Sequence, residues 1–207
     1  MIVLLQNVLS ADQVPSIVAD LGRGADDTAE KQRGDAIESA LTAHEPFVNA
    51  ALPTALTPFQ FDRHVVGSPV EDRMDFPLSR LGTPEAMRID AVCAVFLSDP
   101  ESYDGGELII NSSTAPMPLK LPVGNAVVFP ATDFHTTIAV TRGERWIAIC
   151  GVQSAVRGTR EREILTEMWV ALNDFKTLQP AAGSGDNDGV RILGKARSNL
   201  IRLLADG

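Results

Sequence analysis

The sequence predicts a mainly β fold with flanking helices, arranged as a β-sandwich or jelly roll. Between residues 88 and 153, short β-rich runs are separated by Asp, Gly and Pro, which favours antiparallel strands over alternating helices and strands. With the run at 59–66, this gives about seven or eight strands. Apolar residues recur at helical spacing before and after this region, so we expect helices that support the outside of a sheet.

Composition and length favour one globular domain. The 207 residues are 44% hydrophobic and 22% charged, which is typical of a water-soluble protein, and the length suits a single β-rich domain. No apolar run approaches the roughly 20 residues that span a bilayer. The short apolar start lacks the basic leader of a signal peptide. We therefore expect a cytoplasmic protein without a membrane partner.

Charge and cysteine content narrow the classes of partner. The formal net charge is −9, which argues against a nucleic-acid partner because phosphate contacts need clustered Lys and Arg. Cys93 and Cys150 lie in apolar, strand-like runs. We expect both to be small buried residues, and a disulfide or metal role is the less favoured alternative.

The first part of the chain predicts strands, helices and one long connection. The predicted elements are a strand at 3–5, a helix from its N-cap Ser10 to Leu21, a helix at 29–52 and a strand at 59–66. Pro46 interrupts the second helix. The connection 67–84 is long for a loop without regular structure, and such loops are often functional. We expect it to be a lid or to carry ligand-binding residues.

The rest of the chain predicts the remaining strands and two helices. The strands are expected at 88–98, 106–111, 117–121, 125–129, 135–140 and 144–153. A helix from Thr159 follows, and a flexible linker at 180–189 precedes an amphipathic helix from about residue 190. We expect residues 1–180 to form the domain and 181–207 to add the linker and a helix that packs on it. A homodimer contact through that helix is the alternative.

His135 and Arg145 are the polar residues of most interest in the predicted strands. Alternation places His135 and Thr137 on one face, and antiparallel pairing with the next strand would bring Arg145 into the same interior. A buried arginine needs an anionic partner, and a carboxylate ligand suits its planar fork. In the structural alternative, His135 bonds a backbone group and Arg145 pairs with Glu144, Glu107 or Asp133.

Four stretches of the chain carry a family resemblance. They are 8–10; 43–63; 88–108, which contains the motif Tyr-Asp-Gly-Gly-Glu-Leu; and 121–145, which contains Phe-Pro and ends in Thr-Arg-Gly-Glu-Arg. In their order along the chain and in their residues, these stretches resemble the PKHD-type hydroxylases. That family is a bacterial branch of the Fe(II)- and 2-oxoglutarate-dependent dioxygenases akin to prolyl 4-hydroxylase. The resemblance implies a double-stranded β-helix, the jelly roll of cupin-like proteins.

The resemblance also implies a set of site residues. The family pattern is a His-x-Asp pair and a distal histidine that hold Fe(II), then an arginine that binds the far carboxylate of 2-oxoglutarate. His135 matches the distal histidine, and Arg145 matches the arginine. The His-x-Asp position falls on Arg73-Met74-Asp75. Asp75 supplies the carboxylate, whereas Arg73 replaces the first histidine, and a guanidinium has no lone pair for a metal.

Three alternatives follow from Arg73. His64, at a position that faces the cosubstrate in the family, could supply the missing nitrogen and contact both metal and cosubstrate. Asp75 and His135 could hold iron alone, with 2-oxoglutarate or substrate completing the shell. Without a metal, Arg73 could form an internal ion pair beside Asp75.

The resemblance implies an oxygenase that uses Fe(II), 2-oxoglutarate and O₂, with ascorbate as a further cofactor, to hydroxylate a small molecule. The arginines expected at the mouth are Arg73, Arg80 and Arg88, and they favour an anionic or amino-acid-like substrate. Arg73 could bind that substrate and take part in catalysis. The alternative from another class is a catalytically silent barrel that binds a small carboxylate or a protein partner.

Overall fold

The computed structural model describes residues 1–19, 21, 27–70, 72–112, 115–177 and 188–205. The strands are β1 (Val3–Leu5), β2 (Pro53–Leu56), β3 (Gln60–Val65), β4 (Leu78–Ser79), β5 (Met87–Arg88), β6 (Ala91–Phe96), β7 (Leu108–Asn111), β8 (Pro116–Leu119), β9 (Ala126–Pro130), β10 (Phe134–Thr137) and β11 (Glu144–Ser154). The helices are α1 (Val14–Val18), α2 (Asp27–Ala43), α3 (Glu45–Ala51), α4 (Thr159–Thr177) and α5 (Asp188–Leu204). The predicted mainly β fold with flanking helices is confirmed.

Two antiparallel sheets enclose the inner core. The major sheet has the order β1-β9-β6-β11-β2, with β3 also paired to β11, and the minor sheet has the order β10-β7-β8. Apolar side chains from both sheets pack between them, including Val92 and Phe96 from the major sheet and Leu108 and Ile110 from the minor one. This packing leaves the inward-facing polar residues at one end of the interior.

The helices cover the outer face of the major sheet. Ile37 and Phe47, from α2 and α3, pack in one cluster with the sheet residues Cys93 and Cys150. Both cysteines are buried and free, as expected. Helix α5 lies beside α4, where Arg197 Nε donates to the Leu165 carbonyl at 2.8 Å. The site side of the major sheet is therefore the face turned away from these helices.

The N-terminal helices differ from the prediction. The helix predicted from Ser10 begins at Val14, because residues 10–13 form a turn in which the Ser10 carbonyl accepts from the Gln13 N–H. The helix predicted at 29–52 is two helices, since His44 is extended just before the proline-containing first turn of α3. Leu52 ends α3 in a left-handed conformation. Strand β2 then follows, and the sequence did not predict it.

The pairing predicted for the strand of His135 is wrong. Strand β10 pairs with β7 in the minor sheet and not with β11, which lies in the major sheet. After β10 the chain stays bonded to the segment before β7: Ile138 N–H donates to Glu107 O at 2.9 Å, and Thr141 N–H donates to Asp104 O at 2.9 Å. After these hydrogen-bonded residues, the chain crosses to the major sheet and enters β11.

The connection 67–84 is tied to the minor sheet at one point. Arg73 and His135 form an isolated antiparallel bridge with backbone hydrogen bonds of 2.9 and 2.8 Å. Most of the linker predicted at 180–189 lies outside the described residues, and residues 188 and 189 begin α5. The domain division at residue 180 therefore stays a prediction. Within the described ranges, no helix combines the length and apolar character needed to cross a membrane.

Candidate functional site

Strands β3 and β11 place a row of polar side chains on the inner face of the major sheet. Arg145 lies opposite His64, and Ile147 lies opposite Asp62, in their antiparallel register. Residues directly opposite one another point to the same face of a sheet. Asp62, His64 and Arg145 therefore share the face that carries Ile147 into the core.

A cavity of about 270 Å³ lies between the two sheets and the connection 67–84. Its walls are residues 61–64 of β3, residues 135–137 of β10 and three residues of the connection, Ser68, Pro69 and Arg73. Of the arginines expected at the mouth, only Arg73 lines this cavity. Arg80 lines a separate cavity beside α2, and Arg88 binds Asp90 at 2.7 Å and the Ser154 carbonyl.

Arg145 lies behind Thr137, which lines this cavity, and is not itself one of the lining residues. Its side chain is 1% exposed, and Nη1 is 3.4 Å from Thr137 Oγ1. Nε and Nη2 are buried without a hydrogen-bond partner, and the guanidinium carbon lies 5.3 Å from the centroid of the Phe96 ring. Burial lowers the pKa of Arg145 to about 10. The neighbouring Tyr103 opposes this lowering of the pKa. The guanidinium is thus a buried cation with Tyr103 beside it, and its Nε and Nη2 form no hydrogen bond with the described residues.

The structural alternative for Arg145 required a neighbouring carboxylate. Among the described residues no Asp or Glu forms a salt bridge with it. Glu144, the adjacent acid, accepts from Arg63 Nε at 3.0 Å instead. Because an unpaired buried charge is costly, the environment of Arg145 favours an anionic ligand over a structural ion pair.

His135 is buried between an arginine and a carboxylate. It is 2% exposed; Arg73 Nε donates to its Nε2 at 3.3 Å, and its Nδ1 lies 3.8 Å from Asp75 Oδ2. Neither Nδ1 nor Oδ2 has a hydrogen-bond partner. Burial lowers the pKa of His135, and the charge of Arg73 adds to this effect while Asp75 opposes it. With Arg73 donating to Nε2, the neutral ring carries its proton on Nδ1.

Arg73 pairs with Asp62 and not with Asp75. Its Nη2 lies 3.0 Å from Asp62 Oδ2, and the Arg73 side chain is 45% exposed. Of the three alternatives, the ion pair of Arg73 beside Asp75 is corrected, because the guanidinium reaches across to Asp62 on β3. Sequence reasoning missed Asp62. The signal was available, since Asp62 lies two residues before His64 and alternation puts both on one face.

His64 lines the cavity between the two arginines. Burial lowers the pKa of His64; the charges of Arg145 and Arg73 lower it further, and Asp62 raises it. Both guanidinium groups therefore act electrostatically on this position. In the described part of the chain, no three His, Cys, Asp or Glu side chains are grouped so that they could hold a metal ion.

No family model matches the chain, but curated relatives do. The chain is 36% identical over 182 residues to a PKHD-type hydroxylase of Caulobacter sp. strain K31, which covers 87% of this chain and 78% of that protein. The chain belongs to the PKHD-type hydroxylase family. The resemblance seen in the sequence is confirmed, and so, for the family, is the prediction of an oxygenase-class enzyme.

Solved structures similar to this family member give the fold. The prolyl-4-hydroxylase of Pseudomonas putida has a TM-score of 0.51 at 17% identity, over 74% of this chain and 92% of that one. HygX from Streptomyces hygroscopicus, solved with nickel, 2-oxoglutarate and hygromycin B, has a TM-score of 0.54 at 15% identity, over 74% and 82%. The predicted double-stranded β-helix is confirmed.

The donor atoms can be compared with the iron site of this fold. Fe(II) sites of this kind use two histidines and one carboxylate. Asp75 Oδ2 and His135 Nδ1 lie 3.8 Å apart and are buried without a hydrogen-bond partner, so they fit a metal as two of the three protein ligands once Arg73 leaves Nε2 and the ring proton moves from Nδ1 to Nε2. A third is absent among the described residues, since Arg73, which the resemblance matches to the first histidine, donates to His135 instead. The donor set therefore has one protein ligand fewer than such an iron site.

Proposed function

We propose that this PKHD-type family member is a 2-oxoglutarate-dependent oxygenase that acts on a small molecule. The observation that carries the proposal is Arg145, whose Nε and Nη2 are buried without a partner beyond the cavity. A guanidinium presents paired N–H donors that match a carboxylate. Arg145 would therefore bind the far carboxylate of 2-oxoglutarate, with Thr137 beside it.

Asp75 and His135 would hold Fe(II), the metal that activates O₂ in oxygenases of this class. Arg73 does not prevent this, because its side chain is 45% exposed and can turn towards solvent, while that of its partner Asp62 is 15% exposed. An ion pair with one well-exposed partner contributes on the order of 1 kcal/mol, so the Arg73 side chain can leave His135 at low cost. The remaining metal positions would belong to the cosubstrate and to water.

The substrate class follows from the size and charge of the cavity. A volume of about 270 Å³ suits a small ligand. Arg73 is the cation that faces this space from the connection, so it would contact an anionic group of the substrate or cosubstrate. This supports a small anionic or amino-acid-like molecule. Solved with hygromycin B bound, HygX shows that the fold admits a small-molecule ligand.

The test is an anaerobic titration of the metal-free protein with Fe(II) and 2-oxoglutarate, followed by admission of O₂. We expect a visible charge-transfer band that saturates near one iron per chain, then succinate formation. His135→Ala and Asp75→Ala should abolish both signals, whereas Arg80→Ala, outside the cavity, should keep them. Absence of both band and succinate at millimolar iron would refute the oxygenase proposal.

A second candidate is a barrel that binds a carboxylate without catalysis. The specific observation in its favour is the 3.3 Å contact in which Arg73 Nε donates to His135 Nε2, because this contact keeps the ring proton on Nδ1, the nitrogen that faces Asp75, and a protonated nitrogen cannot bind a metal. This candidate predicts 2-oxoglutarate binding that depends on Arg145, with no iron stoichiometry. Asp75→Ala would then leave ligand affinity unchanged.

A further inference from the structure

We propose that the cavity binds a dicarboxylate between two guanidinium groups, Arg145 at the inner end and Arg73 at the outer end, and that this binding needs no metal ion. The inference rests on the proposed function only in that it concerns the same cavity and the same class of cosubstrate. It assigns to Arg73 the second carboxylate of the ligand, at the position where the family has a metal-binding histidine.

One strand, β10, carries a contact residue for each of the two guanidinium groups. Arg145 contacts Thr137, and Arg73 contacts His135. Those two residues lie on the same face of β10, about 6.6 Å apart at the usual rise of about 3.3 Å per residue. An extended four- or five-carbon dicarboxylate has a comparable span. One ligand can therefore reach both cations along the cavity wall.

Both cations have N–H groups to give to a ligand. On Arg145, Nε and Nη2 are buried and unpartnered. On Arg73, Nε and Nη2 are used by His135 and Asp62, and Nη1 forms no hydrogen bond to any residue that the structure describes. Charge-assisted bonds from guanidinium to carboxylate are stronger than neutral ones. The inner end thus offers a paired contact, and the outer end offers at least one donor.

The charges around the cavity favour a doubly anionic ligand at its centre. His64 lies between the two arginines, and the charges of both act on it. Asp62 offsets part of the charge of Arg73, and Asp75 lies beside His135, so the outer end attracts an anion less strongly than the inner end. We therefore expect Arg145 to contribute most of the affinity and Arg73 to contribute the preference for a second carboxylate.

A metal-free titration tests this directly. The full chain, in excess EDTA, is titrated calorimetrically with 2-oxoglutarate, with glutarate and with the monocarboxylate pentanoate. We expect both dicarboxylates to bind at least about 10-fold more tightly than pentanoate, a ratio that one added charge-assisted contact can supply. Arg73→Gln should reduce that ratio to near one and leave the affinity for pentanoate unchanged, and Arg145→Gln should weaken all three ligands.

Two further variants separate recognition from folding. Arg80→Gln removes an arginine outside this cavity and should change none of the three affinities. Arg73→Lys keeps the charge but not the planar fork and should retain part of the preference. Thermal melts of each variant without ligand report on folding, and an Arg73→Gln protein that melts as the parent does but keeps the full preference would overturn the inference.

The outcome is distinguishable from that of the oxygenase proposal. If 2-oxoglutarate binds only after Ni(II) is added, the two-guanidinium site is refuted, while succinate formation with Fe(II) and O₂ would still support the oxygenase. If binding is metal-free and depends on Arg73 but no succinate forms, the inference stands and the oxygenase proposal fails.

Discussion

The two halves of the candidate site are held by different kinds of structure. Arg145 lies on β11, an 11-residue strand that is hydrogen-bonded to β6 on one side and to β2 and β3 on the other. Arg73 and Asp75 lie on the connection 67–84, which joins β10 through the Arg73–His135 bridge. The inner half belongs to the sheet, whereas most of the outer half belongs to a loop.

The difference explains where this chain departs from its family. Arg145 is 1% exposed, so a substitution there would leave a cavity or an unpaired group. The connection faces solvent, as Phe76 at 83% exposure and the half-exposed Arg73 show. A guanidinium can replace an imidazole there without repacking the core. Arg145, which the resemblance matches to the family's arginine, is buried in the sheet, and Arg73, where the resemblance implies a departure, lies on the loop.

The largest expected effect is on the free energy of unfolding, which should fall more for a substitution in the sheet than for one in the connection. Ile147→Ala empties a fully buried site beside Arg145 and should lower the free energy of unfolding by about 2–4 kcal/mol. Met74→Ala, on the connection, should change it by less than about 0.5 kcal/mol because Met74 is half exposed. Urea unfolding followed by circular dichroism measures both. Equal losses would show that the connection is as firmly packed as the sheet.

Removing the inner cation should strongly weaken cosubstrate binding. Arg145→Gln deletes the buried charge that we assign to the far carboxylate, and we expect about a 100-fold lower affinity for 2-oxoglutarate, or about 2.7 kcal/mol. Calorimetric titration measures it. The matched control is Arg142→Gln, an exposed arginine paired with Asp104, which should leave affinity within about twofold. A similar affinity in both variants would place the ligand elsewhere.

Replacing Arg73 by the histidine that the family pattern has at this position should strengthen metal binding in the outer half of the site. Arg73→His removes the donor that faces His135 and adds an imidazole two residues before Asp75. We expect Ni(II) to bind about 10–100-fold more tightly, the range by which shaping a metal site alters affinity. Titration of the metal-free protein with Ni(II) measures this, and Arg80→His, on the same connection but outside the cavity, is the control. An unchanged affinity would mean that Asp75 and His135 cannot join a common metal site.

The smallest expected effect is the change in glutarate affinity when Asp62, the partner of Arg73, is substituted. Asp62→Asn removes the carboxylate that competes with a ligand for this guanidinium, so glutarate should bind up to about fivefold more tightly in EDTA. An exposed ion pair contributes no more than about 1 kcal/mol, which sets that limit. Asp104→Asn, which breaks the pair with Arg142 outside the cavity, should have no effect. Weaker binding in Asp62→Asn would show that Asp62 mainly positions Arg73.

The sequence predicted the parts of the fold that depend on local pattern. The strand at 144–153 is confirmed as β11, because its burial alternates along most of its length, apart from the adjacent buried residues Ile147 and Ala148. Strand β2 was missed, since it follows α3 directly and has no apolar alternation of its own. The pairing of β10 with β11 was wrong. Strands adjacent in sequence usually pair, but here the segment between them bonds to residues 104–107 and crosses to the other sheet.

The sequence could predict individual residues of the candidate site but not the contacts between them. Resemblance identified His135, Arg145 and Asp75, and it marked Arg73 as a departure. The contacts of Arg73 were not predictable, because its partners lie 62 residues away at His135 and 11 residues away at Asp62. They come from the path of the connection over the cavity, which local pattern does not encode.

A crystal structure of the protein grown with 2-oxoglutarate and Ni(II) would test the central claim most directly. We expect one carboxylate of the ligand on Nε and Nη2 of Arg145, with its other end beside His135 and Arg73. A ligand bound elsewhere, or a cavity without ligand at saturating 2-oxoglutarate, would contradict the assignment of Arg145 and the oxygenase proposal that depends on it.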